Sequence, residues 1–334
     1  MFIINIISNW LIIKQVHILL DCYKGQSQAE KEIKRIQGYR MAAKPVVFVI
    51  GASGKIGSAT ISALAGKYAE TVEIRAGTRD PDKAPDSIKV PGVTIVQATM
   101  GEKEQLLETF KGVDALFIVT PGTSANRAPF TIETAEAAKE AGVKFIMVVS
   151  TPYVVYPNTH DMKQFKEIED KIPQLEVPYC ILRLTPFYDN FWVYKENITS
   201  DSIFYGSVYS NENAAVLDTT DAGKAAASIL ADYSKHNGKT YQLASDRYTN
   251  KKLAAAFTEE LGKNVEYSRI PTKSLKQTVH SKDWQIIGAL EFVKIYNDGA
   301  PEATEVDLSV LKTLTGEDST MMKEWVTKNA PDFK

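Results

Sequence analysis

Three glycines, Gly51, Gly54 and Gly57, stand three apart in "VVFVIGASGKIGSAT" (46–60), directly after a run of apolar residues. Backbone without side chains at that spacing suits one kind of chemistry. It turns sharply, lets an anion lie against bare peptide, and opens a helix whose first N–H groups point at that anion. The preceding "VVFVI", the small residues Ala52 and Ser53, and the helical register of Ile56, Ala59 and Ala63 supply the strand and helix such a loop needs. The motif is read as a pyrophosphate cradle rather than a plain turn. A second group lies at the end of the next apolar run, in "RAGTRDPDK" (75–83), where Arg79 stands with Lys83 nearby. An acid at that place holds the ribose diol of NAD, whereas an arginine accommodates the 2′-phosphate of NADP. Guanidinium meets phosphate as a bidentate fork, so NADP(H) is the favoured cofactor. Asp80 keeps the NAD reading open, because it could serve a ribose if the loop sits one residue differently. A merely solvated loop is the other reading of Arg79 and Lys83.

The remaining reactive side chains exclude more than they indicate. The histidines His17, His160, His236 and His280 lie far apart, and the cysteines Cys22 and Cys180 form neither a disulfide framework nor a metal spacing. No metal is expected, and a reducing, cytoplasmic setting follows from the cysteine usage. With 39 basic against 41 acidic residues there is no basic excess to release counterions, so direct nucleic-acid binding is not expected. A Tyr-x-x-x-Lys pair would lower a tyrosine pKa for proton transfer. Tyr153 and Tyr156 follow the fifth predicted strand, but Pro157 and His160 stand where the lysine belongs. The match at Tyr248 and Lys252 lies far from that strand.

These groups need a scaffold, and the pattern from residue 46 onward provides one. Short β-branched runs at 46–51, 72–77, 93–98, 115–120, 145–150 and 180–184 alternate with helix candidates near 56–67, 103–110, 130–141 and 164–172. Several runs are apolar almost throughout, as in strands covered by helices on both faces. The expected fold is α/β, a doubly wound parallel Rossmann-type sheet whose crevice lies at the carboxyl ends of its strands. After about Leu184 the rhythm loosens, aromatics gather in "FYDNFWVYKEN", and helix patterns reappear at "NKKLAAAFTEELG" and "SVLKTLTGEDSTMMKEWVTKNA". The expected division is a nucleotide-binding core over 44–184 and a smaller α/β C-terminal lobe over 185–334 that shares its core and holds a small-molecule substrate.

Residues 1–40 differ in character. Their apolar part approaches the ~20 residues of a membrane span but is broken by Asn5, Ser8, Asn9, Lys14, Gln15 and His17. The features of a secretory signal are not evident, and Arg35 follows several acids, unlike a mitochondrial presequence. A dispensable leader preceding a working start at Met41 is the favoured reading; a membrane-associating segment and a targeting peptide remain open.

In combination, "VIGASGKIGSAT", "IRAGTRDPDK", "GVDALFIVTPG", "AAKEAGVKFIMVVS", "VPYCILRLTPFYDNF", "DTTDAGKAAASIL" and the closing "LTGEDSTMMKEWVTKNAPDF" resemble the NmrA-like family of atypical short-chain dehydrogenases/reductases. The resemblance spans roughly 44–333. It implies NADP(H) binding, with Gly51, Ser53, Gly54, Lys55, Ile56 and Gly57 at the pyrophosphate and Arg79 at the 2′-phosphate. It further implies that Thr120 and Pro121 pass the cofactor, that Ser150 lies beside the nicotinamide, and that Pro186, Phe187 and Asn190 lie over its pocket. Isoflavone-type relatives use a lysine opening the next helix. That position falls on Phe165, with Lys166 adjacent and Lys163 two residues earlier, so these two lysines are the candidate proton donors.

The family includes quinone, azo-dye, triphenylmethane-dye and isoflavone-type reductases, and regulators that sense NADP(H) without turnover. The expected activity is hydride transfer from NADPH to a small quinone, azo-dye or carbonyl-type acceptor. The alternative is a non-catalytic sensor acting through a protein partner. For quinones and dyes, solvent can deliver the proton, so an oriented nicotinamide and an aromatic pocket suffice. Tyr153, Phe187, Tyr188, Phe191 and Trp192 are the candidates for that pocket, with packing in the core as the competing reading of each. A nucleotide-sugar epimerase is disfavoured by the missing tyrosine–lysine pair.

Overall fold

The polypeptide from Val46 begins in the middle of a sheet and builds outward on both sides. The computed structural model describes residues 44–122, 124–156, 159–208, 213–271 and 305–334. The leader reading therefore falls outside the described residues. Seven parallel strands form the main sheet, in the order β3 (Val93–Gln97), β2 (Glu73–Thr78), β1 (Val46–Ile50), β4 (Ala115–Ile118), β5 (Phe145–Ser150), β6 (Tyr179–Leu184) and β9 (Lys239–Leu243). The order reverses between β1 and β4. Loops leaving those two strands part in opposite directions, which opens the ligand crevice of such folds.

Alternation along each strand divides two apolar layers. Val47, Val49, Ala115, Phe117, Phe145 and Met147 face one way, onto helices α1 (Lys55–Lys67), α6 (Thr219–Ala231) and α8 (Ser309–Thr315). Phe48, Ile50, Leu116, Ile118, Ile146 and Val148 face the other, onto α2 (Lys103–Thr109), α3 (Arg127–Glu140) and α4 (His160–Lys171). Burial on both faces explains why these strands are nearly continuous apolar runs.

The predicted strands are all present, within a residue or two. Helix α4 starts four residues before the predicted 164, because Thr159 accepts a hydrogen bond from the Met162 amide and caps a first turn that is polar outside. The chain beyond Leu184 does more than form a lobe. It returns β9 to the edge of the main sheet, paired in parallel with β6 from Cys180 to Leu184, and lays α6 and α8 on one sheet face. "KTYQL" is half exposed, and an edge strand of that kind has little hydrophobic pattern to betray it.

The lobe proper has its own aromatic core. Tyr188, Phe191, Ile198, Phe204, Phe257, Trp325 and Phe333 are buried together, carried by the 3₁₀ segment Tyr188–Tyr194, α5 (Lys195–Asp201), β7 (Ile203–Gly206), α7 (Asn250–Leu261), α9 (Met322–Asn329) and the closing 3₁₀ turn Ala330–Phe333. Two small sheets brace it. β8 (Ala214–Val216) pairs antiparallel with β10 (Asp246–Tyr248), and β11 (Glu266–Arg269) pairs in parallel with β7. The tail is fastened to α6 by Asp221, whose buried carboxylate accepts from the Ser245 hydroxyl at 2.7 Å and the Thr320 amide at 2.8 Å. The described residues from 45 onward make one compact unit.

Candidate functional site

At the crevice the first wall is made of backbone. Gly51 ends β1 with φ +79°, a conformation that side chains resist, and a Cβ there would lie 2.1 Å from the Val119 carbonyl oxygen on the chain leaving β4. Gly57 sits in the first turn of α1, where a Cβ would meet the Gly51 oxygen at 2.3 Å and the Ala52 Cα at 2.7 Å. Strand, loop and helix can approach this closely only without those two side chains. The Gly54 amide donates to the Gly51 oxygen at 3.1 Å, closing the turn. Gly54 is also the N-cap of α1, which has no side-chain cap and no acid in its first turn. The first helical amides and the positive end of the helix dipole are thereby left to face an external anion. Ser53 is exposed on the loop, and Ile56 is buried against the sheet, where it fixes the helix.

Arg79 follows β2 and is exposed, with its carbonyl accepting from the Gln97 side chain at 3.4 Å. Its guanidinium has no ion pair among the described residues. Asp80 is otherwise engaged. It caps the next turn through the Asp82 amide and pairs with Lys83 at 2.7 Å, which holds its carboxyl below the usual aspartate value. The rivalry left open by the sequence thus has a physical asymmetry: the arginine is unpaired, while the acid and Lys83 satisfy each other.

The second wall is made of side chains. Thr120 and Pro121 leave β4 as expected, and the Thr120 hydroxyl bonds to Thr131 Oγ1 at 2.6 Å. The loop beyond is pinned by Arg127, whose buried guanidinium donates to the Gly122 carbonyl at 2.6 Å, pairs with Asp161 at 3.0 Å and lies over the Phe165 ring. Phe165, at the position of the relatives' lysine, is therefore a packing residue. Ser150 is buried at the end of β5, and its hydroxyl donates to Glu169 at 2.6 Å; that carboxylate also receives two hydrogen bonds from Arg183 of β6. Its hydroxyl is committed to holding α4 on the strand ends.

The structure places both candidate lysines on the outer side of α4. Lys166 is exposed and pairs with Asp170 one turn further along α4. Lys163 is exposed in the first turn. The inward face of α4 is formed by Met162, Gln164 and Ile168, with neither lysine among them.

Three of the aromatics pack within the lobe. Tyr188 is wholly buried, its hydroxyl donating to the Thr320 carbonyl at 3.0 Å, and burial raises its pKa far above the ordinary tyrosine value. Phe191 packs edge-on against Trp325 and Tyr248, and Trp192 stacks on Phe333. Tyr188 and Phe191 belong to the lobe's core, and partly buried Trp192 packs against it, the packing reading that the aromatic clustering in sequence also allows. Tyr153 is buried beside Met162 in a small cluster just past β5, and half-buried Phe187 packs on the main core. Pro186 and Phe187 run beside Leu217, the Leu217 amide donating to the Pro186 carbonyl at 2.8 Å. Asn190 is exposed, with its amide donating to the Phe187 carbonyl.

That pairing brings Asp189 to the glycine loop. Lys55, the first residue of α1, donates to Asp189 Oδ1 at 2.7 Å, and Thr219, the first residue of α6, donates to Oδ2 at 2.5 Å. The link spans 134 positions, and nothing local in "PFYDNF" announces it. Cys180 is no nucleophile, since burial pushes its thiol up to about 12. Among the described residues no cluster of His, Cys, Asp or Glu could hold a metal, and no helix is long and apolar enough to cross a membrane. A groove of about 350 Å³ runs between α1 and α6, bordered by Lys67, Lys224 and Glu317.

Comparison with known proteins agrees with this geometry. Quinone oxidoreductase 2 of Escherichia coli K12 is 28% identical over 226 residues, covering 67% of this chain and 78% of the relative. A (4-alkanoyl-5-oxo-2,5-dihydrofuran-3-yl)methyl phosphate reductase of Streptomyces griseus is 23% identical over 293 residues, 86% of this chain and 99% of the relative. Among solved structures, the NADPH-dependent quinone oxidoreductase of E. coli complexed with NADPH superposes with a TM-score of 0.74 at 26% identity, covering 84% of this chain and 99% of the other. The family model described as the NmrA-like family matches residues 43–325. This chain belongs to the NmrA-like family.

Proposed function

We propose that the protein is an NADPH-dependent reductase of a small quinone, azo-dye or carbonyl-type acceptor. The observation that carries this is the backbone cradle, in which Gly51 and Gly57 hold β1, β4 and α1 so close that a Cβ at either place would overlap main-chain atoms. That space, and the uncapped start of α1, fit a pyrophosphate. Unpaired Arg79 fits the 2′-phosphate, with Asp80 occupied by Lys83. The similar proteins named above as reductases support the same reading, and none of them is so alike that the acceptor transfers with the name.

When bound, NADPH supplies hydride. The chain's part is to hold the dinucleotide along the strand ends, with Thr120, Pro121, Pro186, Phe187 and Asn190 proposed to flank its nicotinamide half and Tyr153 to border the acceptor. Neither Lys163 nor Lys166 lies on the inward face of α4, and Lys166 pairs with Asp170. Solvent is the proposed source of the proton, which suits acceptors whose reduced form is protonated after hydride arrives.

Purified protein should bind NADPH more tightly than NADH, and Arg79→Ala should abolish most of that difference. Oxidation of NADPH with a quinone, azo-dye and carbonyl panel tests turnover. Tight NADPH binding with no oxidation of it on any acceptor would favour a sensor that works through a protein partner.

A further inference from the structure

We propose that Asp189 is a positioning residue that sets how much of the Lys55 charge reaches the dinucleotide's phosphates, and so holds cofactor affinity below what the glycine loop alone would give. The inference rests on the pyrophosphate reading of that loop and assigns a role to a residue outside it. Lys55 is the first residue of α1, where the helix dipole already presents positive charge, so a cation there is intrinsically unfavourable and adds to the pull on an anion. Its ammonium is bonded to Asp189 at 2.7 Å rather than left to solvent.

Asp189 is built to stay where it is. Its other oxygen accepts from Thr219 at 2.5 Å, and Thr219 opens α6 directly after the Asp218 cap, which accepts from the Thr220 and Asp221 amides. The preceding residue, Tyr188, is fully buried in the lobe core, and the Asn190 amide donates to the Phe187 carbonyl. The carboxylate is thus anchored on the lobe while the lysine belongs to the cradle. Lys55 is 67% exposed and Asp189 24%, so solvent screens the pair and the effect on binding is modest. A weaker grip on the phosphates favours exchange of oxidised for reduced cofactor, a step that often limits turnover.

The test is NADPH titration, at low and high salt, of wild type, Asp189→Asn, Lys55→Met and the double variant. Asp189→Asn should bind NADPH about two- to fivefold more tightly, the range for one charge at a helix terminus, with a steeper loss of affinity as salt rises. Lys55→Met should bind more weakly, and the double variant should match it, because Asp189 acts through Lys55. Asp189→Glu, which keeps the charge, should stay near wild type. If Asp189→Asn fails to fold, Thr219→Val releases one anchor and should shift affinity the same way by less. Asp189→Asn or its Thr219→Val substitute binding no tighter, or the double variant gaining affinity over Lys55→Met, overturns this proposal alone. Wild type that does not bind NADPH overturns the cofactor reading and this proposal with it.

Discussion

The two walls of the crevice are built on different principles. Around β1, β2 and α1 the surface is main chain, shaped by what glycine lacks. Around β5, β6 and α4 it is made of side chains already engaged with one another: Ser150 and Arg183 with Glu169, and Arg127 with Asp161. The first wall leaves hydrogen-bonding capacity facing outward, at the open start of α1 and at Arg79. In the second, these polar groups satisfy each other. A backbone wall of this kind fits a ligand held by fixed phosphate geometry. A wall of closed side-chain pairs fits one held by shape, whose reduction needs no dedicated acid.

The sharpest way to break that contrast is Gly51→Ala. A side chain forced to φ +79° and placed 2.1 Å from the Val119 oxygen must move β1 or the chain leaving β4. The expected loss is about 3 kcal/mol, combining the left-handed backbone cost with overpacking. Melting should fall by about 2–4 °C for each kcal/mol in a unit of this size. NADPH binding should be lost in protein that is still folded. Retained affinity would mean that the cradle is only a turn.

Glu169→Ala strikes the other wall. It leaves Arg183 without its carboxylate and Ser150 without its acceptor, at a site where the glutamate side chain is 11% exposed and the arginine 22%. Because Arg183 keeps some access to water, the expected cost is about 2–3 kcal/mol, below that of a fully buried charge left alone. Chemical denaturation should show this loss while NADPH affinity changes little. If affinity fell as far as stability, the side-chain wall would also be a cofactor wall.

These two sites also differ in how they could be read from the sequence. The strands and the glycine loop were legible because each is local: apolar runs of strand length, glycines at fixed spacing, and helical register immediately after. The role proposed for Arg79 also rests on local sequence. Ser150, Glu169 and Arg183 come from three elements, and their partnership exists only once β5 and β6 pair in register with Ser150 beside Arg183. The Lys55–Asp189 link is longer still. Lysines opening a helix give a sequence signal for a proton donor, whereas the face of α4 turned inward is set by Met162, Gln164 and Ile168. The aromatics carried two meanings in sequence, pocket and core, and burial in the lobe decides for core at Tyr188 and Phe191.

A smaller effect distinguishes the lobe's fastening from the crevice itself. Burial raises the Asp221 pKa above the ordinary aspartate value, against the opposing pull of its bonds to Ser245 and Thr320. In the window between the unfolded and folded values the native state binds the extra proton, so stability falls as pH rises through it. The Asp221 contribution is therefore fully present below the ordinary aspartate value and lost above the raised one. Asp221→Asn should remove this slope, seen as the difference between the two proteins' denaturation free energies across mildly acidic pH. A difference that grows in the opposite direction would show that the hydrogen bonds from Ser245 and Thr320 outweigh burial.

The smallest expected effect is the most informative about chemistry. Lys166→Ala removes an exposed i,i+4 pair with Asp170, and Lys163→Ala removes an exposed side chain, so each should change stability by no more than about 0.5 kcal/mol. If solvent supplies the proton, NADPH oxidation with a quinone should persist in both variants and in the double variant, with an unaltered pH profile. A donor lysine would behave otherwise. Its loss would lower kcat while leaving NADPH affinity intact, and the basic limb of the pH profile would disappear with it. That outcome would place a charged donor in the side-chain wall and end the distinction between a wall that binds through open polar groups and one that acts by shape.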